Sequence, residues 1–225
     1  MEKIVSSRVM RESDEYTCEN VASSAELMYR AGKGIYECLP RGGKTAVVCG
    51  AGNNAGDGFV VAKLLHENGG DVTVFLLSEK FSESGRYYFD MCEVLCVKTE
   101  KCTEETDFSG FDTVVDCIFG TGFHGEVRGL AAKIIDKINK SGAYVVSADI
   151  NSGLSSDSGL SGGCVRSDLT VSVGSYKYGH FLGMAGRYAR EEKYRHRHRD
   201  SRRICDPCRK SGVFAAYKAE AEQLQ

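Results

Sequence analysis

Proline occurs only 2 times in 225 residues, and the 26 glycines follow no period, so neither a collagen triplet nor a proline-rich linker is present. No stretch approaches the roughly eighteen consecutive apolar residues that a membrane span requires. The opening MEKIVSSRVMRESDEYT is charged and lacks the apolar centre of a secretory signal. Without a signal, and in a chain of this size, the 10 cysteines are read as reduced thiols rather than a disulfide scaffold, and a cytoplasmic location is expected. What remains is ordinary globular composition, 42% hydrophobic and 27% charged, at a length that suits one domain.

Charge is unevenly distributed. Residues 1–186 carry 18 basic and 25 acidic side chains, whereas Arg187 to Lys210 carry 10 basic and 4 acidic, which marks a boundary near residue 188. Before it, short β-branched runs alternate with helical periodicity, the pattern of βαβ units building an α/β fold with a mostly parallel sheet. SSAELMYRAGKGIYECL predicts a first helix capped by Ser23 or Ser24, with Leu27, Ala31, Ile35 and Leu39 on one face. Strands are predicted over 45–50, 72–77, 112–116, 143–149 and 169–173, and helices over 57–69, 84–96 and 130–142. In such sheets ligands lie outside the carboxyl ends of the strands, so the polar residues just after strands are the candidates for function.

Three turns qualify. In GAGNNAGDG (Gly50 to Gly58) the glycines allow a tight turn and backbone approach to a phosphate, and the following helix offers free N–H groups. A nicotinamide dehydrogenase would place an acid at the end of the second strand, but Ser78 stands there, with Glu79 only next. Asn53, Asn54 and Asp57 are costly to bury unless something bonds them, although either asparagine alone could simply cap the helix. In DCIFGTGFHGEVRG, Asp116 ends a strand and Gly120, Gly122 and Gly125 punctuate a loop that can close over a ligand or merely connect two elements. His124 in it suits a solvent-facing position as well as a catalytic one. In ADINSGLSSDSG, Asp149 ends a strand and Ser152 follows three residues later; they can point into one crevice or cap the next turn. Carboxylates, an amide and a hydroxyl together make a hard oxygen site for potassium, sodium or magnesium, unsuited to zinc.

In order and spacing, GNNAGDG, DCIFGTGFHGE, ADINSGLSSDSG and SDLTVSVGSYKYGHFLGMAG, preceded by VMRESDEYT and SAELMYRAG, resemble the NAD(P)H-hydrate epimerase family, the YjeF N-terminal domain. The resemblance runs from about Val9 to Tyr188 and implies a Rossmann-like three-layer α/β/α sandwich with a mostly parallel central sheet, usually a homodimer. It implies epimerisation of NADHX and NADPHX, the hydrates of NADH and NADPH, at C6 of the nicotinamide ring, for repair by a partner ADP- or ATP-dependent dehydratase. Carried onto this chain, the substrate site comprises Asn53, Asn54, Ala55, Gly56, Asp57, Gly120, Thr121, Gly122, Phe123, His124, Gly125, Glu126 and Asp149. One potassium ion would be held by Asn54, Asp116 and Ser152. Asp149 is the expected proton donor and acceptor, with Lys177 second, though Lys177 also reads as an ordinary solvated lysine. Asn151 departs from the proline common in the family, and is expected to loosen the backbone without removing a ligand. The alternative function is a non-catalytic Rossmann-like nucleotide- or protein-binding module. Neither a membrane nor a nucleic-acid partner is expected.

The resemblance stops after Tyr188, where the family continues into a strand ending like DIGIP. AREEKYRHRHRDSRRICDPCRKSG can be read as a basic nucleic-acid tail, as a zinc set of His196, His198, Cys205 and Cys208, or as a shifted reading frame. One permitted back-translation from Arg190, less one base, reads GKKSIDIGIGIPD, which restores the strand. This third reading is favoured, and its expected consequence is loss of the terminal sheet strand and an exposed edge.

Overall fold

The computed structural model describes residues 4–195. The chain runs β1 (Ile4–Val5), α1 (Ser7–Asn20), α2 (Ser24–Tyr36), β2 (Lys44–Cys49), α3 (Asn53–Glu67), β3 (Asp71–Leu76), α4 (Glu83–Val94), β4 (Lys98–Lys101), β5 (Thr113–Cys117), α5 (Gly129–Lys140), β6 (Tyr144–Ala148), β7 (Ser167–Val173), β8 (Tyr176–Lys177) and β9 (Ala189–Arg195). Seven strands form a parallel sheet in the order β4-β3-β2-β5-β6-β7-β9, and β1 pairs with β8 beside it.

Alternation along the strands divides the core into two layers. Val47, Val115 and Val146 pack with Ala31 and Ile35 of α2 and Phe59 of α3, while Ala46, Val48, Val114 and Val145 pack with Ile134 and Ile138 of α5. Each of the valines, isoleucines and the phenylalanine among these contributes about 1.5–3 kcal/mol when fully buried. The result is the expected Rossmann-like three-layer sandwich. Leu27, Ala31, Ile35 and Leu39 are all buried, although α2 ends at Tyr36.

The terminal strand differs from expectation. The sheet does not lose its edge at residue 189: Ala189–Arg195 pair in parallel with β7, from Ser167↔Ala189 to Val173↔Arg195. Pairing needs only backbone donors and acceptors, and charged residues are common on edge strands, so AREEKYR serves where an apolar strand was expected. His196, His198, Cys205 and Cys208 lie outside the described residues.

Candidate active site

Strand order reverses between β2 and β5, the point at which open α/β sheets leave a crevice at their carboxyl edge. The turns after β2, β5 and β6 meet there. Gly50 is required by contact, since a Cβ on it would lie 2.0 Å from the Ile118 carbonyl oxygen. Helix α3 begins at Asn53, a turn earlier than expected, because Gly52 adopts φ 77° and serves as its N-cap. No side chain among the described residues caps α3, so neither Asn53 nor Asn54 has the capping role. By contrast α1, α2 and α4, which open elsewhere, are capped by Ser6, Ser23 and Ser82. Asn54 is buried; its Nδ2 donates to the Phe119 carbonyl at 3.0 Å, and its Oδ1 accepts no hydrogen bond among the described residues.

Asp116, fully buried at the end of β5, is the centre of a second group. Its Oδ1 accepts from Ser152 Oγ at 2.5 Å and from the Ile118 N–H at 3.2 Å; its Oδ2 accepts from Ser147 Oγ at 2.8 Å and from the Ser152 N–H at 3.0 Å. Ser152 Oγ in turn accepts from the Phe119 N–H at 2.8 Å. These partners are neutral, and burial lifts the Asp116 carboxyl above the usual carboxylate range, against the pull of the Ser152, Ser147 and Ile118 hydrogen bonds.

Asp149 follows β6 with φ 67°, a left-handed conformation that costs a non-glycine residue about 1 kcal/mol or more. Its Oδ1 pairs with Lys177 Nζ and accepts from the Val173 N–H at 3.3 Å. Lys177 is 1% exposed, so the solvated reading fails; Nζ also donates to the Val173 carbonyl at 2.7 Å and lies 3.3 Å from Ser172 Oγ. Gly120 joins the groups, for a Cβ there would sit 3.3 Å from Asn54 Cβ and 3.7 Å from Asp149 Oδ2. Asn54, Asp116, Gly120, Asp149, Ser152 and Lys177 therefore occupy one place.

Other expected site residues are distributed differently. Ala55, Gly56 and Asp57 are buried within α3, and Gly56 is explained by packing, since a Cβ on it would meet Met28 Sδ at 2.3 Å. Asn53, Gly122, His124, Gly125 and Glu126 are exposed, with Glu126 paired to Arg128. Phe123 stacks on Phe119 with centroids 4.8 Å apart, and the Thr121 carbonyl accepts from Ser156 Oγ at 3.0 Å. Asn151 does not loosen its turn: it is 1% exposed, its Nδ2 lies 2.9–3.1 Å from Ser167 Oγ and the Val165 and Tyr188 carbonyls, and its Oδ1 accepts from Thr170 Oγ1 at 2.7 Å. An amide tied both to residues 165–170 and to Tyr188 replaces the stiffness a proline would supply.

Sequence reasoning missed Ser147, the Phe119 main chain and His180. Ser147 was findable from register, because it stands opposite Asp116 across β5 and β6. His180 is buried, with Nε2 3.0 Å from the Asp149 carbonyl oxygen, and burial followed by the Lys177 charge pushes its imidazole down to about 4.

A parallel sheet with two carboxylates, one of them fully buried, a buried amide and a buried lysine gathered at its switch point defines a Rossmann-like α/β domain with a polar cluster there. The chain belongs to the family described as YjeF-related protein N-terminus, whose model matches residues 24–179. It is 34% identical over 198 residues to the bifunctional NAD(P)H-hydrate repair enzyme Nnr of Coxiella burnetii, covering 85% of this chain and 40% of that protein. The same-named protein of Thermofilum pendens is 39% identical over 146 residues, covering 61% of this chain and 28% of that protein. The chain thus spans less than half the length of these relatives. The NAD(P)H-hydrate epimerase of Limosilactobacillus fermentum is 30% identical over 84% of this chain and 93% of its own. Yeast ynu0 shares the fold, with a TM-score of 0.70 at 23% identity over 83% of this chain and 86% of that one.

Proposed function

We propose that this chain is an NAD(P)H-hydrate epimerase that interconverts the R and S forms of NADHX and NADPHX at C6 of the nicotinamide ring. The supporting observation is the meeting of Asp149, backed by Lys177, with Asn54 and Gly120 just beyond the carboxyl ends of β2, β5 and β6. The uncapped start of α3 suits the substrate diphosphate, which the first N–H groups and the helix dipole favour.

The C6 hydroxyl sits on a carbon bonded to the ring nitrogen, so it can leave as water once its oxygen is protonated, with the nitrogen lone pair forming an iminium. Water then adds to the other face of C6. Asp149, entering the cycle with a proton on Oδ2, gives it up as the first C–O bond breaks and takes one back as the second forms, so it ends as it began. Lys177 lies on Oδ1, while Oδ2 is the oxygen turned toward Gly120. With its donors directed at Asp149, Val173 and Ser172, Lys177 acts through Asp149 rather than on substrate.

The donor set also suits one potassium ion, assigned to Asn54, Asp116 and Ser152. Asn54 Oδ1 is a buried acceptor without a donor among the described residues, and the Asp116 carboxyl is buried among neutral partners. The four acceptor positions of Asp116 are taken, so its part is mainly charge, and Asn54 supplies the free lone pair. A bound ion supplies positive charge that fixes the turns after β2, β5 and β6. A homodimer, a cytoplasmic location and a downstream ADP- or ATP-dependent dehydratase complete the proposal; no helix among the described residues is long and apolar enough to cross a membrane.

Mixing the purified chain with pure R epimer and following the isomer ratio by chromatography tests the function. Equilibration well above the rate without protein is expected. An unchanged ratio with nucleotide bound would make this a binding module instead.

A further inference from the structure

We infer, on the assignment of Asp149 above, that His180 is a positioning residue for the epimerisation: one neutral imidazole locks the strained backbone of Asp149 to the backbone of its lysine partner. The Lys177 N–H donates to His180 Nδ1 at 3.0 Å, and His180 Nε2 lies 3.0 Å from the Asp149 carbonyl oxygen. A backbone N–H only donates and a carbonyl only accepts, so the two contacts together select the neutral tautomer with its proton on Nε2. On protonation Nδ1 could turn only to the Lys177 carbonyl, at 3.3 Å, and would forfeit the Lys177 N–H.

The arrangement follows from spacing. Residues Tyr178–His180 form one 3-10 turn, which folds the His180 ring back over Lys177. Tyr176 closes the other side edge-on, with centroids 5.6 Å apart, so the buried ring has a fixed plane. Asp149 itself is held at its N–H by the Val171 carbonyl at 2.9 Å and at its side chain by Val173 and Lys177, which leaves its carbonyl as the remaining main-chain anchor. That anchor is His180. A left-handed aspartate relaxing toward ordinary backbone would swing its carboxylate away from Gly120, and displacement of a reacting group by about 1 Å costs on the order of 100-fold in rate.

Two substitutions separate positioning from packing. The longer amide of His180→Gln can place an N–H where Nε2 stands, whereas the shorter amide of His180→Asn reaches only the Nδ1 position, keeping the Lys177 contact and losing Asp149. With R-configured NADHX as substrate, His180→Asn should lower kcat about 10- to 100-fold with KM nearly unmoved, and His180→Gln should recover most of that loss. A kcat at the wild-type level in His180→Asn, or a His180→Gln as slow as His180→Asn, overturns the inference. In the unsubstituted chain, nitrogen NMR of labelled histidine at pH 7 should report His180 neutral with the proton on Nε2; the other tautomer, or an imidazolium, overturns it without recourse to any variant. If the unsubstituted chain shows no epimerisation while the tautomer is as expected, the failure lies with the proposed function and not with the His180 lock.

Discussion

Ser152 is bound to Asp116 twice, by its main-chain N–H at 3.0 Å and its hydroxyl at 2.5 Å, across 36 residues of sequence. The pair welds the turn after β6 to the end of β5. Ser152→Ala removes a donor from a buried carboxylate and leaves the Phe119 N–H without its 2.8 Å acceptor, which should cost about 2–4 kcal/mol. Ser156→Ala, which removes one neutral hydrogen bond to the Thr121 carbonyl, should cost about 1 kcal/mol. Urea unfolding measures both; equal losses would mean that Asp116 gains nothing special from Ser152.

Asn54 Oδ1 is a buried acceptor without a hydrogen bond among the described residues, and this ties the ion to a stability measurement. A ligand at about 100 times its Kd stabilises the native state by about 2.7 kcal/mol, or roughly 5–10 °C in a domain of this size. Replacing tetramethylammonium chloride with potassium chloride at constant ionic strength should therefore raise the Tm of the unsubstituted chain by several degrees. Asn54→Ala should lose most of that rise. An equal rise in both would remove Asn54 from the ion's ligands.

Asp149 and Lys177 should behave as one unit. Asp149→Asn should slow epimerisation by about 10²–10⁴-fold, the usual range for a lost acid–base group, and Lys177→Met by about 10²-fold through misplacement of Asp149. The double variant should be no slower than Asp149→Asn alone to within about twofold, because groups acting through one another are strongly non-additive. Multiplying losses in the double variant would give Lys177 an independent contact with substrate.

How much of this was legible in sequence depended on what each element buries. Strands β2, β5 and β6 announced themselves as apolar runs because both of their faces are covered. Strand β4 gives no signal, for KTEK is exposed at all four positions and carries no periodicity, and the expected loss of β9 rested on a shifted reading frame, whereas the sequence as it stands pairs with β7. At the site, Asn54, Asp116, Asp149 and Ser152 stood out as polar residues after strands. Ser147 and His180 did not, since Ser147 matters through the register of two strands and His180 through a turn that brings its ring to a carbonyl 31 residues away. Asn151 does not loosen its turn because its amide reaches both residues 165–170 and Tyr188, which one residue's departure from a pattern does not reveal.

His180 carries a pH signature that does not depend on any substrate. Its imidazole is pushed from an ordinary 6.5 down to about 4 by burial and then by the Lys177 charge. A histidine whose folded value is depressed binds fewer protons native than unfolded between those values, so its contribution to stability is present above pH 6.5 and is lost as pH falls toward 4. The slope reaches at most about 1.4 kcal/mol per pH unit. Burial of Asp116 acts in the opposite sense, since a raised carboxyl makes the native state the better proton binder at acid pH, but that contribution is common to the unsubstituted chain and His180→Gln. Subtracting urea-derived stabilities of the two proteins at a series of pH values isolates the histidine. The difference should move against the unsubstituted chain as pH falls from 6.5 to 4, and a difference constant across that window would mean that His180 already titrates as an exposed imidazole does.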